Sequence, residues 1–288
     1  MIDIKYVKDR LPKRLSFQNK GNFGHILIIG GSVGMSGSVC MSAMGALRSG
    51  AGLVTVAVPR DILPVVAVNT TDSMTLPLSS ADGVFALGAA KELGSFLPKA
   101  NAAAFGMGAR TGGGTTRLAE RLLSAFDGTL VIDADGLNTL AQNPELIQTE
   151  RKCSVILTPH PGEMARLSGA SVEDVQGARE TCAKEFAKKT DTVVVLKGEK
   201  TVISDGKTVL VNPTGNVGMA TGGSGDVLSG IIASLAGQGL TPLESAASGA
   251  YLHGLAGDFS VKGNTSFGLI ACDLIEYLPR AFHAVLNG

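Results

Sequence analysis

Late in the chain, Asn212-Pro-Thr-Gly-Asn216 and then Thr221-Gly-Gly-Ser-Gly-Asp226 combine residue types that suit anion chemistry. The glycines let consecutive backbone N–H groups turn toward one point where VLSGIIASLAGQG opens a helix, forming a nest for an anion. Asp226 at that helix start gains from the dipole and is expected to be ionised. It would stand about one residue from a bound phosphate, placed to take a proton from an attacking hydroxyl. The bland alternative is a flexible loop ending in an ordinary N-cap, with Asp226 as the capping residue.

Other candidates are spread along the chain. His160 lies between Pro159 and Pro161, in a stiffened turn that would hold its imidazole ready to donate to a phosphate or carboxamide; otherwise it is a hydrogen-bonded structural histidine. Glu163 could orient a water on Mg2+, which keeps waters and takes few carboxylates, or simply sit in a helix first turn. Asp133 and Asp135 end an apolar run two residues apart, which would place both on one side of a sheet, and Asn138 follows one helical turn later. These three read either as an acidic capping set or as a contact to substrate or to a metal-bound water. Lys197 could neutralise phosphate, although lysines at strand ends are usually just solvated.

Some readings are excluded. GGSVGMSG (30–37) lacks G-x-G-x-x-G, and the next apolar run ends in Pro59-Arg60-Asp61, so no dinucleotide fingerprint is present. Ser36 and Ser38 have no G-x-S-x-G elbow. His25, His253 and His283 show no metal-ligand spacing and are read as structural or surface residues.

The elements that must position these residues are short apolar runs alternating with helical patterns. HILIIG (25–30), LVTVAV (53–58), AAAFGM (102–107), TLVIDA (129–134), SVILT (154–158) and TVVVLKG (192–198) read as buried strands. A small-residue helix follows the first, running through about Ser49; TTRLAERLLSAF (115–126) and VEDVQGARETCAKEFAKK (172–189) read as further helices. Apolar strands without alternation suit a parallel sheet covered on both faces, and the β-then-α rhythm gives a doubly wound α/β fold. TVISD and TVLVN, joined through Gly206-Lys207, read as an antiparallel hairpin near the sheet edge. Ligands in such folds lie beyond the carboxyl ends of the strands, where Gly30-Gly31-Ser32, Gly106-Met107-Gly108, Asp133-Ala134-Asp135, Thr158-Pro159-His160 and Lys197-Gly198 would converge.

The chain has 288 residues, 44% hydrophobic and 17% charged, which supports a large core; with no linker or repeat, residues 1–288 read as a single domain. Zero formal net charge gives no electrostatic footprint for nucleic acid or an anionic membrane. The N-terminus has no signal-peptide pattern, and no apolar run approaches the roughly 18 residues of a membrane span. Cys40, Cys153, Cys182 and Cys272 lack disulfide or zinc spacing, which fits reduced thiols and a cytoplasmic protein.

NPTGN…ATGGSGD resembles the anion-hole and base segment of the ribokinase superfamily. With KGNFGHILIIGGS (20–32), SGSVCMSAMGALRSGAGLVTVAVP (36–59), IDADGLN (132–138), LTPHPGEMARL (157–167) and VLKGEKTVI (195–203), it resembles one branch, the ADP/ATP-dependent NAD(P)H-hydrate dehydratases. The resemblance implies a ribokinase-like fold: a mostly parallel central sheet with helices on both faces. It also implies dehydration of the S-form of hydrated NADH or NADPH, driven by ADP or ATP with Mg2+. Asp226 would then be the catalytic base, and Gly222, Gly223, Ser224 and Gly225 the anion hole. Lys197, Gly198, Glu199, Lys200 and Thr201 would border the adenine nucleotide, with Gly225 touching it from the other side. Ser38, Gly108, His160 and Asp226 would contact the hydrated dinucleotide, with Asn138 beside them and Glu163 reaching the metal through water. Many relatives carry alanine at the Ser38 position, and sugar kinases often have Gly-Ala-Gly where this chain has Gly-Gly-Ser-Gly. A cytoplasmic homotetramer is in keeping with the family, as is an NAD(P)H-hydrate epimerase, here expected on a separate chain. Two other functions stay open: a hydroxyethylthiazole- or pyrimidine-type kinase that stops at a stable phosphoester, and a nucleotide-binding regulator without turnover.

Overall fold

Backbone groups buried on both sides of a sheet must be paired within it, and the uninterrupted apolar runs supply strands that tolerate such burial. The computed structural model describes residues 1–262 and 265–288. In chain order it runs α1 (Ile4–Lys8), β1 (His25–Ile29), α2 (Ser36–Arg48), β2 (Leu53–Pro59), α3 (Leu63–Asn69), β3 (Met74–Leu78), β4 (Ser80–Ala81), β5 (Val84–Phe85) and α4 (Ala89–Gly94). It continues with β6 (Ala102–Phe105), α5 (Gly113–Ala125), β7 (Thr129–Ile132), α6 (Asp135–Gln142), β8 (Ser154–Leu157), α7 (Pro161–Ser168), α8 (Val172–Gly177), α9 (Arg179–Thr190) and β9 (Val193–Leu196). The edge hairpin β10 (Val202–Ser204) and β11 (Val209–Val211) precedes α10 (Ser224–Gly237), α11 (Pro242–Val261) and α12 (Ala271–Asn287).

The main sheet has the order β11-β10-β9-β8-β7-β6-β1-β2-β3. Every neighbouring pair from β9 through β3 is parallel, whereas β10 and β11 join antiparallel at one edge, as the hairpin pattern predicts. Alternate residues of each strand enter opposite cores. Ile26, Ile28, Val193 and Val195 face one; Leu27, Ile29, Val194 and Leu196 face the other. The first core is closed by α2, α10, α11 and α12, the second by α4, α5, α6, α7 and α9. Helices α2 and α10 approach closely because their contact is built on glycine. A Cβ at Gly45 would lie 2.7 Å from the Val227 carbonyl oxygen, and one at Gly230 would collide with the Ser42 carbonyl.

Three local features depart from the sequence pattern. The helix expected over 172–189 is two helices, broken at Ala178 (φ −138°, ψ 44°), which follows the weak helix former Gly177. Between Pro59 and Asn101 the chain adds α3, α4, the small β4–β5 hairpin and β3, none of them marked by a long apolar run. Strand β3 contains Pro77 and is an edge strand, where a missing N–H is tolerated. Finally, β7 ends at Ile132 and Ala134 takes φ 49°, so the two-residue alternation does not carry through Asp133 and Asp135. Among the described residues, no helix is long and apolar enough to cross a membrane.

Candidate active site

The parallel order brings the carboxyl ends of β1, β6, β7, β8 and β9 to one rim, and the start of α10 meets them there. Gly223 is the N-cap of α10 with φ 89°, a left-handed conformation suited to glycine, and a Cβ there would also strike the Met41 side chain. Asp226 is therefore the third helical residue and no side chain caps the helix, so the ordinary N-cap reading of Asp226 does not hold. Among the described residues, no protein group accepts from the amides of Gly222, Gly223, Gly225 or Asp226, while Ser224 and Val227 donate to Thr221 and Gly223. A helix start leaves such donors over, and glycine keeps this one open: nothing would lie within 4 Å of a Cβ at Gly222. The turn leaves these amide donors unpaired at the start of α10, a geometry that suits an anion.

Asp226 does not behave as an isolated first-turn aspartate. Burial pushes its pKa up to about 7; the neighbouring Asp133 and, more weakly, Asp135 add to the rise, against the Ser38 hydroxyl and the Lys197 ammonium. The expectation that the dipole leaves it fully ionised is corrected, because desolvation and like charge outweigh a helix terminus. A carboxylate titrating near neutrality suits a general base.

Lys197 is not a solvated strand-end lysine. Its side chain is 21% exposed, its ammonium is 2.7 Å from Asp133 Oδ1 and 3.7 Å from Glu163 Oε2. Burial opposes its charge, yet the pull of Asp133 and Glu163 raises its pKa above the ordinary value, so it stays a cation. Ser229, one turn beyond Gly225, donates to Asp133 Oδ2 at 2.8 Å. A Cβ at Gly225 would stand 3.3 Å from the Lys197 ammonium, so glycine here keeps helix and cation adjacent. Asp135 turns to other partners: its carboxylate accepts from the Arg110 amide at 2.8 Å and from Asn138 Nδ2 at 3.3 Å. The two aspartates do different work at the rim.

His160 caps α7. Its Nδ1 accepts from the amides of Gly162 (3.0 Å) and Glu163 (3.3 Å), while the Glu163 carboxylate accepts from the His160 amide at 2.7 Å. This reciprocal box assigns the neutral ring its proton on Nε2. Burial and then Lys197 hold the imidazole below its usual pKa, so it can offer Nε2–H as a neutral donor. Glu163 is buried, and burial raises its pKa.

The remaining expected residues surround this centre. Ser38, in the first turn of α2, faces Asp226. Gly108 has φ 63°, and a Cβ there would press on Met35 (2.9 Å) and Ser38 (3.1 Å), so this backbone packs against the start of α2. Glu199 and Lys200 are exposed beyond β9, and the Thr201 hydroxyl donates to the Gly198 carbonyl at 3.0 Å. Arg179 orders that loop by donating to the carbonyls of Leu196 (2.9 Å) and Lys197 (3.3 Å). Asn138 accepts from Arg166 Nε at 3.1 Å. The Asn212–Asn216 segment is tied to α11: Asn212 donates to Ala250, Thr214 to Tyr251, and Gly215 and Asn216 to Asp258. His253, also on α11, lies buried beneath the nest with Nε2 3.4 Å from Ser224 Oγ, and burial drives its pKa down to about 4.

Sequence reasoning missed Ser229, Arg179, Arg166 and Asp258. Ser229 left a signal, its i,i+3 and i,i+4 spacing from Asp226 and Gly225; the others depend on contacts between distant segments. Among the described residues, no group of three or more His, Cys, Asp or Glu side chains forms a metal cage.

A family model described as NAD(P)H-hydrate dehydratase matches residues 26–280. A bifunctional NAD(P)H-hydrate repair enzyme of Moorella thermoacetica is 42% identical over 282 residues, covering 97% of this chain and 53% of the relative. This chain thus spans about half the length of such bifunctional relatives. An ADP-dependent (S)-NAD(P)H-hydrate dehydratase of Neisseria meningitidis is 38% identical over 265 residues, 91% of this chain and 86% of the relative. The crystal structure of a Bacillus subtilis ADP/ATP-dependent NAD(P)H-hydrate dehydratase, co-crystallised with ATP/Mg2+, superposes with TM-score 0.85 at 29% identity, covering 98% of this chain and 97% of that one. A hydroxyethylthiazole kinase from Pyrococcus horikoshii shares only the ribokinase-like fold, at TM-score 0.62 and 16% identity over 96% of this chain and 91% of that one.

Proposed function

The chain belongs to the NAD(P)H-hydrate dehydratase family, and from that premise we propose that it removes water from the S-form of hydrated NADH or NADPH at the expense of ADP or ATP. The observation that carries this reading is the pairing of the unpartnered amides of Gly222, Gly223, Gly225 and Asp226 with a carboxylate, Asp226, that titrates near neutrality.

Hydroxide leaves poorly from the hydrated ring, whereas a phosphate ester leaves readily. Asp226 takes the proton from the ring hydroxyl as its oxygen bonds to the terminal phosphorus of ATP or ADP, and the bond to the departing ADP or AMP breaks. The amides of the nest, at the positive end of α10, stabilise charge on the migrating phosphoryl group. The ring-nitrogen lone pair then expels phosphate, and loss of a proton from the adjacent ring carbon restores the reduced nicotinamide. Ser38, Gly108, His160 and Asp226 hold the dinucleotide, with His160 Nε2–H donating. Residues 197–201 and Gly225 border the nucleotide.

The donor set fits Mg2+ that arrives on the nucleotide phosphates better than a resident ion, since Mg2+ keeps several waters and takes few protein carboxylates. Glu163 would meet such a water, and the ion would neutralise charge on the transferred group. ADP is the co-substrate we favour, and a cytoplasmic homotetramer the assembly, which light scattering would read as four times the 29.4 kDa protomer.

The test is to supply NADH hydrate with ADP or ATP in turn and follow the NADH chromophore. The chromophore should return only with nucleotide, one phosphate being released per NADH, and Asp226→Ala should abolish the return. Accumulation of a stable phosphoester in place of NADH would identify a kinase instead.

A further inference from the structure

Three of the four residues between Thr221 and Asp226 are glycines, so Ser224 is the one residue through whose side chain this turn can be held. Glycine gives the turn its reach and also its freedom, because it has more backbone entropy to lose than any other residue. No side chain caps α10. Amides that wander lose the advantage of fixed dipoles, which is that nothing need reorganise when charge develops beside them. The turn needs an anchor.

His253 supplies one from beneath. It lies in the middle of α11, 8% exposed, with Nε2 3.4 Å from the Oγ of Ser224, itself 8% exposed. The contact serves either tautomer of the ring, since a hydroxyl can donate or accept. Gly249 and Gly257, four residues to either side, share the His253 face of α11 and bring it close to the same region. A Cβ at Gly249 would lie 2.7 Å from the Ile232 side chain of α10, and one at Gly257 would collide with Met219, in the segment leading into the nest. Asp258 accepts from Gly215 and Asn216, so the same helix also holds the 212–216 segment. Burial keeps the imidazole neutral at working pH, its pKa being near 4. It therefore adds no charge that would itself attract an anion, and what it contributes is geometric. Neither the proton transfer nor the phosphoryl transfer assigned above uses this ring.

We propose that His253 is a positioning residue for phosphoryl transfer: through the Ser224 hydroxyl it fixes the glycine turn, so that the amides of Gly225 and Asp226 stand in place before the migrating group arrives. This rests on the nest being where that group is held. A fixed turn matters most when charge on the migrating phosphoryl is greatest, so His253 acts on the transition state more than on the bound nucleotide.

AMP and ADP, the nucleotides left after transfer from ADP and ATP, are titrated with Mg2+ into the parent, His253→Leu, His253→Gln, Ser224→Ala and the His253→Leu/Ser224→Ala double variant. Each titration is run with and without aluminium fluoride, which mimics the phosphoryl group in transit. The parent should bind at least one nucleotide more tightly with the fluoride. His253→Leu should lose about 10- to 100-fold of affinity for that complex while its Kd for the nucleotide alone stays within about threefold. His253→Gln keeps a polar tip and should recover part of the loss. Ser224→Ala keeps every amide of the nest and should show the same selective loss, to which His253→Leu adds almost nothing; this arm decides the matter if His253→Leu does not fold. Equal losses with and without fluoride, no loss in either, full additivity in the double variant, or a parent that gains nothing from fluoride would overturn the proposal. A parent that gains affinity from fluoride yet restores no NADH from its hydrate would refute the proposed reaction and leave the role of His253 standing.

Discussion

At the scale of the residue, Asp226 carries opposing demands. Its folded pKa of about 7 lies above the ordinary 3.8, so the folded state prefers the neutral acid while the proposed chemistry needs the carboxylate. The sign follows: ionisation costs no folding stability below about pH 4, and the cost grows as pH rises toward 7. Asp226→Asn should therefore be inactive yet more stable than the parent at pH 8, by on the order of 2 kcal/mol once partial exposure is allowed for, with the gain fading toward pH 4 in urea melts. For the parent, kcat/KM should fall about tenfold per pH unit below about 7. A profile flat down to pH 5 would remove Asp226 as the base. Lys197→Met strands Asp133 and Glu163 without their cation and should cost about 3 kcal/mol. Because the ammonium also lowers the Asp226 pKa, the surviving activity should have its acid limb moved to higher pH.

At the scale of the element, the nest depends on how closely α10 lies against α2, since the first turn of α10 carries Asp226 and the first turn of α2 carries Ser38. Gly45 and Gly230 set that distance through backbone contacts on both helices. Alanine is the better helix former by about 1 kcal/mol, so propensity predicts that Gly230→Ala stabilises α10. The collision with the Ser42 carbonyl predicts the reverse. Overpacking of this kind costs about 1–3 kcal/mol and should win, seen as a lower urea midpoint together with reduced activity as Ser38 and Asp226 separate. Stabilisation by Gly230→Ala would show that the helices part without penalty.

At the scale of the whole molecule, two hydrophobic cores share one sheet, and every central strand contributes alternate residues to both. Loss of either core exposes one face of the same strands, so thermal unfolding should be a single cooperative transition with calorimetric and van't Hoff enthalpies in agreement. Two resolved transitions would contradict one folding unit. Bound nucleotide should shift that transition upward by mass action, about 2.7 kcal/mol at a hundredfold excess over Kd.

Local pattern decided much of this protein. Apolar runs at 25–30, 129–134 and 192–198 could only be strands buried on both faces, and Thr221-Gly-Gly-Ser-Gly-Asp226 ahead of an apolar helix marked the nest, because glycine conformation and helix-terminal donors are properties of adjacent residues. Distance along the chain hid the rest. That Lys197 is held by Asp133 and that Arg166 is aimed by Asn138 follows from which strands and helices become neighbours. The shifted titration of Asp226 is likewise a tertiary effect: burial and the field of charges at the ends of β7 and β9 set it, and no spacing in the sequence encodes the dielectric around a carboxylate.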